Sequence, residues 1–481
     1  MSAEHVGGSG GKRVTLLMSS GLLGLSQLVA RVSTLAVMAL LVRGAGTESV
    51  GYYGLATLAA SLIAIGLSFG MPTYLTRQVP AAQVRPDEVV RIHGLRLVVL
   101  TGAAAVAYPV LSAMTPSAIH LGFFLFFVAS LLDQWNETAW VLVRGTPKAW
   151  KEPVANSTTS LVLVAACAAD LWLLDGLTFL NAAVYAAVTA AVRAGIAAAL
   201  VFRGRPRRIS DPLRVKLHLR QSVPYLASDL LGLIYFRGDV LILTTFVAAA
   251  EVGEYVSATG LINPAVQVAA AMSVGALAFA APKAFAAHAG RSDPRSIYQF
   301  FRLTGLAASG AIGLGLPIAI AILFGSSGMP ILQLSVILTL FLSLRFANFG
   351  LSAILLAEGG APRRVLVLLA SIAVSVLLNL MLVRPFGAEG SAWAAMLTEF
   401  VVAVSLVWAS RQRSLVRPVA MTLVVTAGMA AMTFVALQAL TPRLAAVVVG
   451  LCYLTSAAWS FVRQRGRRHA PRILTNAEEA A

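Results

Sequence analysis

The sequence predicts an all-α protein that crosses a membrane about fourteen times. Of its 481 residues, 58% are hydrophobic and only 12% are charged, whereas soluble domains average about 25% charged residues. Its apolar runs reach the length of about 20 residues that a helix needs to cross a hydrocarbon core of roughly 30 Å. Its basic residues concentrate in alternate connections between these runs, as membrane topology requires.

The apolar runs follow one another with short connections along almost the whole chain. The first is much longer than the core of a secretion signal, roughly 7–15 residues, so we interpret it as a membrane helix. The predicted spans are approximately 14–42, 51–70, 95–111, 118–143, 154–174, 178–202, 221–248, 255–280, 300–323, 330–356, 364–383, 391–409, 419–440 and 443–462.

The basic residues predict the orientation of the chain. With the N-terminus in the cytoplasm, about 30 of the 37 lysines and arginines fall in inside segments. Only Arg43, Arg384 and Arg443 fall in outside loops. An error in the helix count would invert every later loop and remove this bias, so we predict that both termini are cytoplasmic. The net charge of +17 then reflects topology, and we expect no nucleic-acid partner.

An internal repeat and a basic connection predict how the chain is divided. Arg31 precedes Gly51, and Arg237 precedes Gly253, in two stretches that each end in an acidic turn and V-G-x-Y. Units with an even number of helices point the same way, so an axis along the membrane normal relates them. The predicted parts are an N-terminal six-helix lobe (1–202), a basic cytoplasmic linker (203–220), a C-terminal six-helix lobe (221–409), two additional helices (410–462) and a cytoplasmic tail (463–481).

Charged residues within the predicted spans are the main functional signal. Each charge at a helix centre costs roughly 2.5–3.5 kcal/mol on insertion scales, while folds are stable by only about 5–15 kcal/mol. Most of these side chains must therefore face a water-filled cavity or one another. They are Arg31, Arg193, Arg237 and Arg345, with Asp133, Glu137, Asp229, Asp239 and Glu399.

Two interpretations of these charges stay open. They could be ion pairs that lock helices together, or they could line a cavity in which the arginines hold an anionic group, since Arg binds phosphate in a bidentate geometry. Asp133 and Glu137 share one helix face at i, i+4 spacing and could neutralise arginines or carry protons. Arg237 and Asp239 lie about 200° apart on an ideal helix, so both face one cavity only if Gly238 breaks the helix.

Other classes of chemistry find little support. The GGKR stretch near the start lacks the ending that a nucleotide-binding loop requires, and no connection is long enough for a soluble catalytic domain, so we expect no enzyme activity. None of the His residues has metal-ligand spacing, and we expect neither metal nor cofactor.

Cys167 and Cys452 lie in apolar runs and are interpreted as core residues. Trp135 and Trp140 flank the carboxylates of the fourth span, where packing is favoured over stacking on sugar.

The repeated motif resembles the Wzx-like polysaccharide-biosynthesis flippases of the multidrug/oligosaccharidyl-lipid/polysaccharide (MOP) exporter superfamily. The residues that carry the resemblance are Gly51, Tyr52, Tyr53 and Gly54, and Arg237, Asp239, Gly253, Tyr255 and Ala258. The resemblance implies two six-helix lobes that form a V around a cationic cavity. It implies a substrate in which a sugar is joined through pyrophosphate to a polyprenyl lipid. Arg31 and Arg237, then Arg345 and Arg193, are the implied substrate-binding residues.

The resemblance also implies a setting in the bacterial inner membrane, among membrane lipids and beside the glycosyltransferases and the polymerase or ligase that make and use the glycan. The main alternative is a drug/cation antiporter of the same architecture (the MATE type), which would favour an acidic cavity. A membrane glycosyltransferase or polymerase is a third possibility, against which the absence of a long outside loop counts. Four arginines among the intramembrane charges favour the flippase.

Overall fold

The structure, a computed structural model, describes residues 8–79, 84, 86–114, 117–144, 148–174, 176–202, 212–280 and 293–469. Within these ranges the chain is helical with short turns and contains no strand, which confirms the predicted all-α class. Parts of the predicted linker (203–211) and tail (470–481) lie outside the described residues.

The helices follow the predicted spans closely, with differences of one or two residues where a span overruns its helix. They are α1 (Gly8–Ser68), α2 (Met71–Gln78), α3 (Pro86–Met114), α4 (Ser117–Arg144), α5 (Lys151–Leu173), α6 (Phe179–Phe202), α7 (Pro212–Phe246), α8 (Ala249–Ala280), α9 (Pro294–Phe324), α10 (Met329–Ala357), α11 (Ala361–Ser410), α12 (Arg413–Ala439) and α13 (Pro442–His469). A 3₁₀ turn, Gly325–Gly328, joins α9 to α10.

Two of these helices contain a sharp break where the sequence predicts an outside loop. Gly46 in α1 has φ 80° and ψ 174°, and Gly387 in α11 has φ 55° and ψ −135°. Glycine adopts such angles without the steric penalty that a Cβ imposes. Each of these helices therefore contains two of the predicted spans, one on either side of its glycine.

The helices have the length and the surface of membrane spans. Eight helical stretches of the described chain are long and apolar enough to cross a membrane, and three of them have 47, 64 and 50 residues. At about 1.5 Å per residue, these three suffice for two crossings of a roughly 30 Å core. Large apolar side chains face outward, with Leu173 77% and Trp408 83% exposed. In water such faces would be unfavourable, whereas lipid accommodates them.

The chain forms two compact units. Unit 1 comprises Met1–Pro264, Ala321–Ile331 and Leu368–Ala394. Unit 2 comprises Ala265–Ile320, Leu332–Val367 and Ala395–Ala481. Unit 1 thus combines the helices of the first repeat with α7 and the start of α8 from the second. The lobe boundaries drawn from the sequence stay a prediction.

Each unit has its own apolar core. In unit 1, Met71 and Leu75 of α2 pack with Ile92 of α3 and Trp140 of α4. In unit 2, helices approach one another at small residues. A Cβ on Gly305 of α9 would lie 2.6 Å from the Phe346 Cβ of α10, and a Cβ on Gly450 of α13 would lie 2.7 Å from the backbone nitrogen of Leu314. Small residues of this kind let membrane helices pack closely.

The two V-G-x-Y motifs pack against each other in unit 1. A Cβ on Gly51 of α1 would lie 1.8 Å from the carbonyl oxygen of Ala249, and a Cβ on Gly253 of α8 would lie 1.8 Å from that of Thr47. Each glycine therefore contacts the residue that stands four positions before the other glycine. This reciprocal contact, which we call the glycine crossing, is what a two-fold axis between the repeats would produce.

The short helix α2 is absent from the predicted spans. It contacts α7 at the end of the first repeat that lies away from the glycine crossing. Gly70 precedes it with φ 68° and lies so close to α7 that a Cβ would be 2.2 Å from the backbone nitrogen of Leu226. Pro72 in its first turn suits a helix start, where the missing N–H has no partner to lose. The sequence signal for α2 is this Gly-Met-Pro start after a long apolar run.

Replacing Gly51 with Ala tests the glycine crossing. The added methyl group must displace the Ala249 carbonyl, and we expect a loss of about 1–3 kcal/mol in stability, as for other overpacked sites. Gly24→Ala in the same helix is the matched control, since nothing lies within 4 Å of its Cβ position. We expect that control to melt at the same or a higher temperature. Equal melting curves for both variants in detergent would contradict the close contact.

Candidate functional site

Arg31 and Arg237, the two leading candidates from the sequence, lie in unit 1 within electrostatic range of each other. Arg31 is on α1 and Arg237 on α7, and the two guanidinium groups repel each other electrostatically. Both side chains are partly buried. Among the described residues, no carboxylate lies within 4 Å of either one. The positive charge of this arginine pair is therefore not neutralised by a direct ion pair.

Tyr53 marks the position of the arginine pair relative to the repeat motif. This tyrosine of the first V-G-x-Y lies within electrostatic range of Arg31, Arg237 and Asp133. Its ring also packs edge-on against Phe126 of α4, with the ring centroids 5.0 Å apart. Its motif was part of the sequence resemblance, but a role beside the arginines was not predicted.

Asp133 and Arg193 form an ion pair between α4 and α6. Arg193 Nη1 donates to Asp133 Oδ1 at 2.9 Å, and its Nε donates to Thr159 Oγ1 of α5 at 3.0 Å. The Asp133 side chain is 48% exposed, so it faces open space as well as its partner. One guanidinium thus joins three helices of unit 1.

Asp239 belongs to a different set of contacts from Arg237. It accepts hydrogen bonds from the Tyr255 hydroxyl of α8 and from the Val240 backbone nitrogen. Helix α7 continues through Gly238 without a break, and Asp239 lies within electrostatic range of Arg237 without a direct ion pair to it. Tyr255 is the counterpart of Tyr53 in the second motif.

Glu137 lies in an ion triad at one end of α4. Arg144 Nη2 donates to Glu137 at 2.9 Å and to Glu152 Oε1 at 2.6 Å, and Arg144 Nε donates to Glu152 Oε2 at 2.8 Å. The sequence assigned Arg144 and Glu152 to a connection and did not predict their pairing. The bidentate contact fixes the start of α5 against the end of α4.

Arg345 and Glu399 form a buried ion pair between α10 and α11 in unit 2, with side chains 6% and 2% exposed. Asn348 donates to Glu399 Oε2 at 2.8 Å, and the Arg345 guanidinium lies over Phe341 at 5.3 Å. A carboxylate and aromatic faces thus surround the guanidinium. Of the two interpretations left open by the sequence, this geometry fits the helix-locking ion pair.

Asp229 takes part in a polar contact between α7 and α2. Thr73 Oγ1 donates to the carboxylate of Asp229, at 3.1 and 3.0 Å from its two oxygens. Tyr74 of α2 donates to Gln221 at 2.7 Å and lies 2.8 Å from His218 Nδ1. We call these contacts the α2–α7 clasp.

His218 extends the clasp to α3. Its Nε2 lies 3.4 Å from Glu88 Oε2, while its Nδ1 faces the Tyr74 hydroxyl. His218 therefore lies between Tyr74 of α2 and Glu88 of α3 and contacts both. Sequence reasoning missed Glu88, Tyr74 and His218, since none of them lies in a predicted span. Gln221 is the first residue of the predicted span 221–248, but it carries no charge.

The other end of unit 1 is held by two contacts at the helix breaks. Arg43, just before the Gly46 break, donates from Nε to the Leu323 carbonyl at the end of α9 at 2.9 Å. Glu251, at the start of α8, accepts from the Ala388 backbone nitrogen at 2.6 Å, just after the Gly387 break. The connections predicted as outside loops are thus tied into the fold.

The tryptophans and cysteines named in the sequence analysis also have defined surroundings. Trp135 and Trp140 are 5% and 1% exposed, and the Trp135 indole donates to the His93 carbonyl at 2.9 Å, so both serve packing. Cys167 and Cys452 carry free thiols. Within the described residues, no group of three or more His, Cys, Asp or Glu side chains could hold a metal ion.

Comparison with known proteins shows where this architecture recurs. A family model described as "Polysaccharide biosynthesis protein" matches residues 16–279. No curated protein sequence matches the chain. Among solved structures, a lipid II flippase MurJ in an inward closed conformation matches with a TM-score of 0.70 and 9% identity, over 93% of this chain and 99% of the other. An inward-facing multidrug resistance MATE family transporter of the MOP superfamily matches with 0.61 and 16% identity, over 81% and 99%.

Removal of one partner tests the buried ion pair of unit 2. Glu399→Ala leaves Arg345 buried without its countercharge, and we expect a loss of about 3–5 kcal/mol in stability. The double variant Arg345→Met with Glu399→Leu removes both charges at similar volume and should recover most of that loss. Thermal melting of the purified variants in one detergent measures both effects. A double variant as unstable as Glu399→Ala would show that the pair itself, rather than the uncompensated charge, sets the stability.

Proposed function

Because the chain belongs to the polysaccharide biosynthesis protein family, whose model matches residues 16–279, we propose that it is a flippase for a polyprenyl-pyrophosphate-linked oligosaccharide. The head group would cross the bacterial inner membrane by alternating access, with its anionic part held by arginines. The chain would act as a transporter and catalyse no reaction. Its termini would lie in the cytoplasm, and its substrate would come from glycosyltransferases and pass to a polymerase or ligase.

The arginine pair carries this proposal. Two like charges lie within electrostatic range of each other in a membrane-spanning part of the molecule, although their repulsion and desolvation disfavour the arrangement. A pyrophosphate brings negative charge and several acceptor oxygens, so it would relieve the repulsion and satisfy both guanidinium groups at once. Tyr53 would add a hydroxyl donor to the same anion. A neutral or cationic substrate would leave the repulsion in place.

The surroundings of the arginine pair support alternating access. Along α1 and α7, the pair lies between the glycine crossing, near the predicted outer end, and the α2–α7 clasp, near the predicted cytoplasmic end. We propose that the head group enters when the clasp separates and leaves when the crossing separates. Hydrogen bonds between neutral or singly charged groups suit such a contact, because water can replace them at modest cost.

Arg193 and Arg345 would have secondary roles. Each is bound to a carboxylate, Asp133 or Glu399, and could bind a passing anion only by exchanging that partner for it. The partly exposed Asp133 pair could make such an exchange more readily than the buried Glu399 pair. Protonation of Asp133 would release Arg193, which is how we propose that a proton could be coupled to transport. Glu137 and Asp239 would stay in their present contacts, whereas Asp229 would leave Thr73 when the clasp separates.

The alternative of a MATE-like antiporter for cationic drugs rests on the shared fold. Such a site needs negative charge available to the substrate. The carboxylates near the arginine pair already have partners, since Asp133 pairs with Arg193 and Asp239 accepts from Tyr255. Two arginines and one aspartate lie within electrostatic range of Tyr53. The geometry therefore favours an anionic substrate over a cationic one.

Neutral substitution of either member of the arginine pair should strongly reduce export. We expect Arg31→Gln and Arg237→Gln to lower export of surface polysaccharide at least about tenfold, because each removes charge-assisted hydrogen bonds of about 1.5–3 kcal/mol. The lipid-linked sugar should accumulate on the inner side, and extraction of labelled lipid from a deletion strain that carries each variant measures it.

The same two variants should not destabilise the protein. Removing one of two repelling charges should leave the melting temperature unchanged or raise it. The corresponding gain in the free energy of unfolding is on the order of 1 kcal/mol or less. Arg384→Gln, whose guanidinium lies 5.4 Å over the Phe246 ring, is the matched control and should export normally. Normal export by both arginine variants would refute the proposal, and drug sensitivity of the variants would favour the antiporter.

A reversible cross-link tests the movement of the clasp. In a chain without Cys167 and Cys452, Thr73→Cys with Asp229→Cys should form a disulfide on oxidation, since the two native side chains already lie within hydrogen-bond distance. We expect oxidation to stop export and reductant to restore it. Each single cysteine variant is the control for the loss of the hydrogen bond. Full export by the oxidised, cross-linked protein would show that α2 and α7 do not need to separate.

A further inference from the structure

Five arginines of unit 2 surround a pocket that the transport proposal does not use. The pocket lies between the start of α9, the start of α12 and the end of α13, and its volume is about 290 Å³. Its basic lining residues are Arg295, Arg302, Arg413, Arg417 and Arg463. No acidic residue is among the described residues that line it.

We propose that this pocket binds the phosphate-containing headgroup of an anionic membrane phospholipid. Five guanidinium groups around a small volume repel one another, and a phosphate would replace that repulsion with bidentate hydrogen bonds. Basic pockets between membrane helices at the cytoplasmic side are suited to such headgroups. The positive-inside count places this end of α9, α12 and α13 in the cytoplasmic leaflet.

Two helix starts strengthen the preference for an anion. Arg295 lies in the first turn of α9, which begins at Pro294, and Arg413 is the first residue of α12. The N-terminal end of a helix carries a partial positive charge, so a cationic side chain there is unfavourable. An anion between the two helix starts would attract both helix ends and both guanidinium groups, and so would offset this unfavourable interaction.

The deepest of these side chains has unused hydrogen-bonding capacity. Arg302 lies two turns further into α9 than Arg295, and its Nε is buried without a hydrogen-bond partner among the described residues. Arg295 uses its Nε to reach the Ser414 carbonyl at 3.1 Å, which holds the starts of α9 and α12 together. A phosphate oxygen in the pocket would supply the acceptor that Arg302 lacks.

The rim of the pocket favours a lipid over a soluble anion. Trp459 of α13 is 57% exposed and carries the Arg463 guanidinium 5.1 Å from its ring centroid. Met421 lines the pocket, and Val424 stands one turn further along the same face of α12, 72% exposed. These apolar side chains extend from the charged end of the pocket, so acyl chains could follow α12 while the headgroup stays among the arginines.

The proposal is tested by native mass spectrometry of the full chain with phosphatidylglycerol or phosphatidylcholine of equal chain length. We expect one phosphatidylglycerol to be retained in preference to phosphatidylcholine. Arg302→Gln combined with Arg417→Gln should weaken that binding about tenfold or more, because two charge-assisted contacts are lost. Arg417→Gln alone changes an exposed side chain, so it keeps the test valid if the double variant does not fold.

The matched control is Arg411→Gln, an exposed arginine of unit 2 that does not line the pocket and should bind phosphatidylglycerol as the unchanged protein does. Equal binding by the unchanged protein and all pocket variants would overturn the proposal. Displacement of the lipid by millimolar inorganic phosphate or pyrophosphate would assign the pocket to a soluble anion instead. Stronger competition by undecaprenyl pyrophosphate than by phosphatidylglycerol would assign it to the transported lipid, and would likewise overturn our assignment.

Discussion

The desolvation of charge governs this molecule more than any other physical effect. A charged side chain among apolar helices must find a partner, and the described residues show three ways in which it does so. Arg345 has a buried carboxylate, Arg193 has a carboxylate that also faces open space, and Arg144 holds two glutamates at a helix end. Arg31 and Arg237 differ from all of these, because they repel each other and neither forms a direct ion pair with a carboxylate of the described chain. That difference is the reason why we propose that an anion from outside the chain binds between them.

The arginine pair lies between two contacts of unit 1, the glycine crossing and the α2–α7 clasp. At the glycine crossing, backbone approaches backbone without any side chain between, so the contact is tight and depends on shape. At the α2–α7 clasp, Thr73, Tyr74 and their partners meet through hydrogen bonds that water could replace. The two ends of unit 1 are therefore closed by contacts of different kinds. Their responses to temperature and solvent should differ, since one depends on packing and the other on polar groups.

The sequence predicted the fold well because the bilayer imposes simple requirements. Apolar length gave the spans, and Gly46 and Gly387 fall where connections were expected. Helix α2 was missed because it is short and lies outside every apolar run.

The sequence also predicted a set of intramembrane charges, but it could not show which of them form ion pairs. The set includes Asp133, Arg193, Arg345 and Glu399. Pairing depends on which faces of α4, α6, α10 and α11 meet, and periodicity along one helix carries no information about its neighbour. Arg144 with Glu152 was missed for the same reason.

The reciprocity of the glycine crossing has a consequence for the history of the chain. Gly51 contacts Ala249 and Gly253 contacts Thr47, so each repeat offers the other the same small residue and the same carbonyl. A contact of this kind is isologous, the type that joins two identical subunits around a two-fold axis. A half-length ancestor could have made it with a second copy of itself, before fusion placed both copies in one polypeptide. In the single chain the two halves stay coupled at this contact, because a side chain added at either glycine must be accommodated by the backbone of the other half.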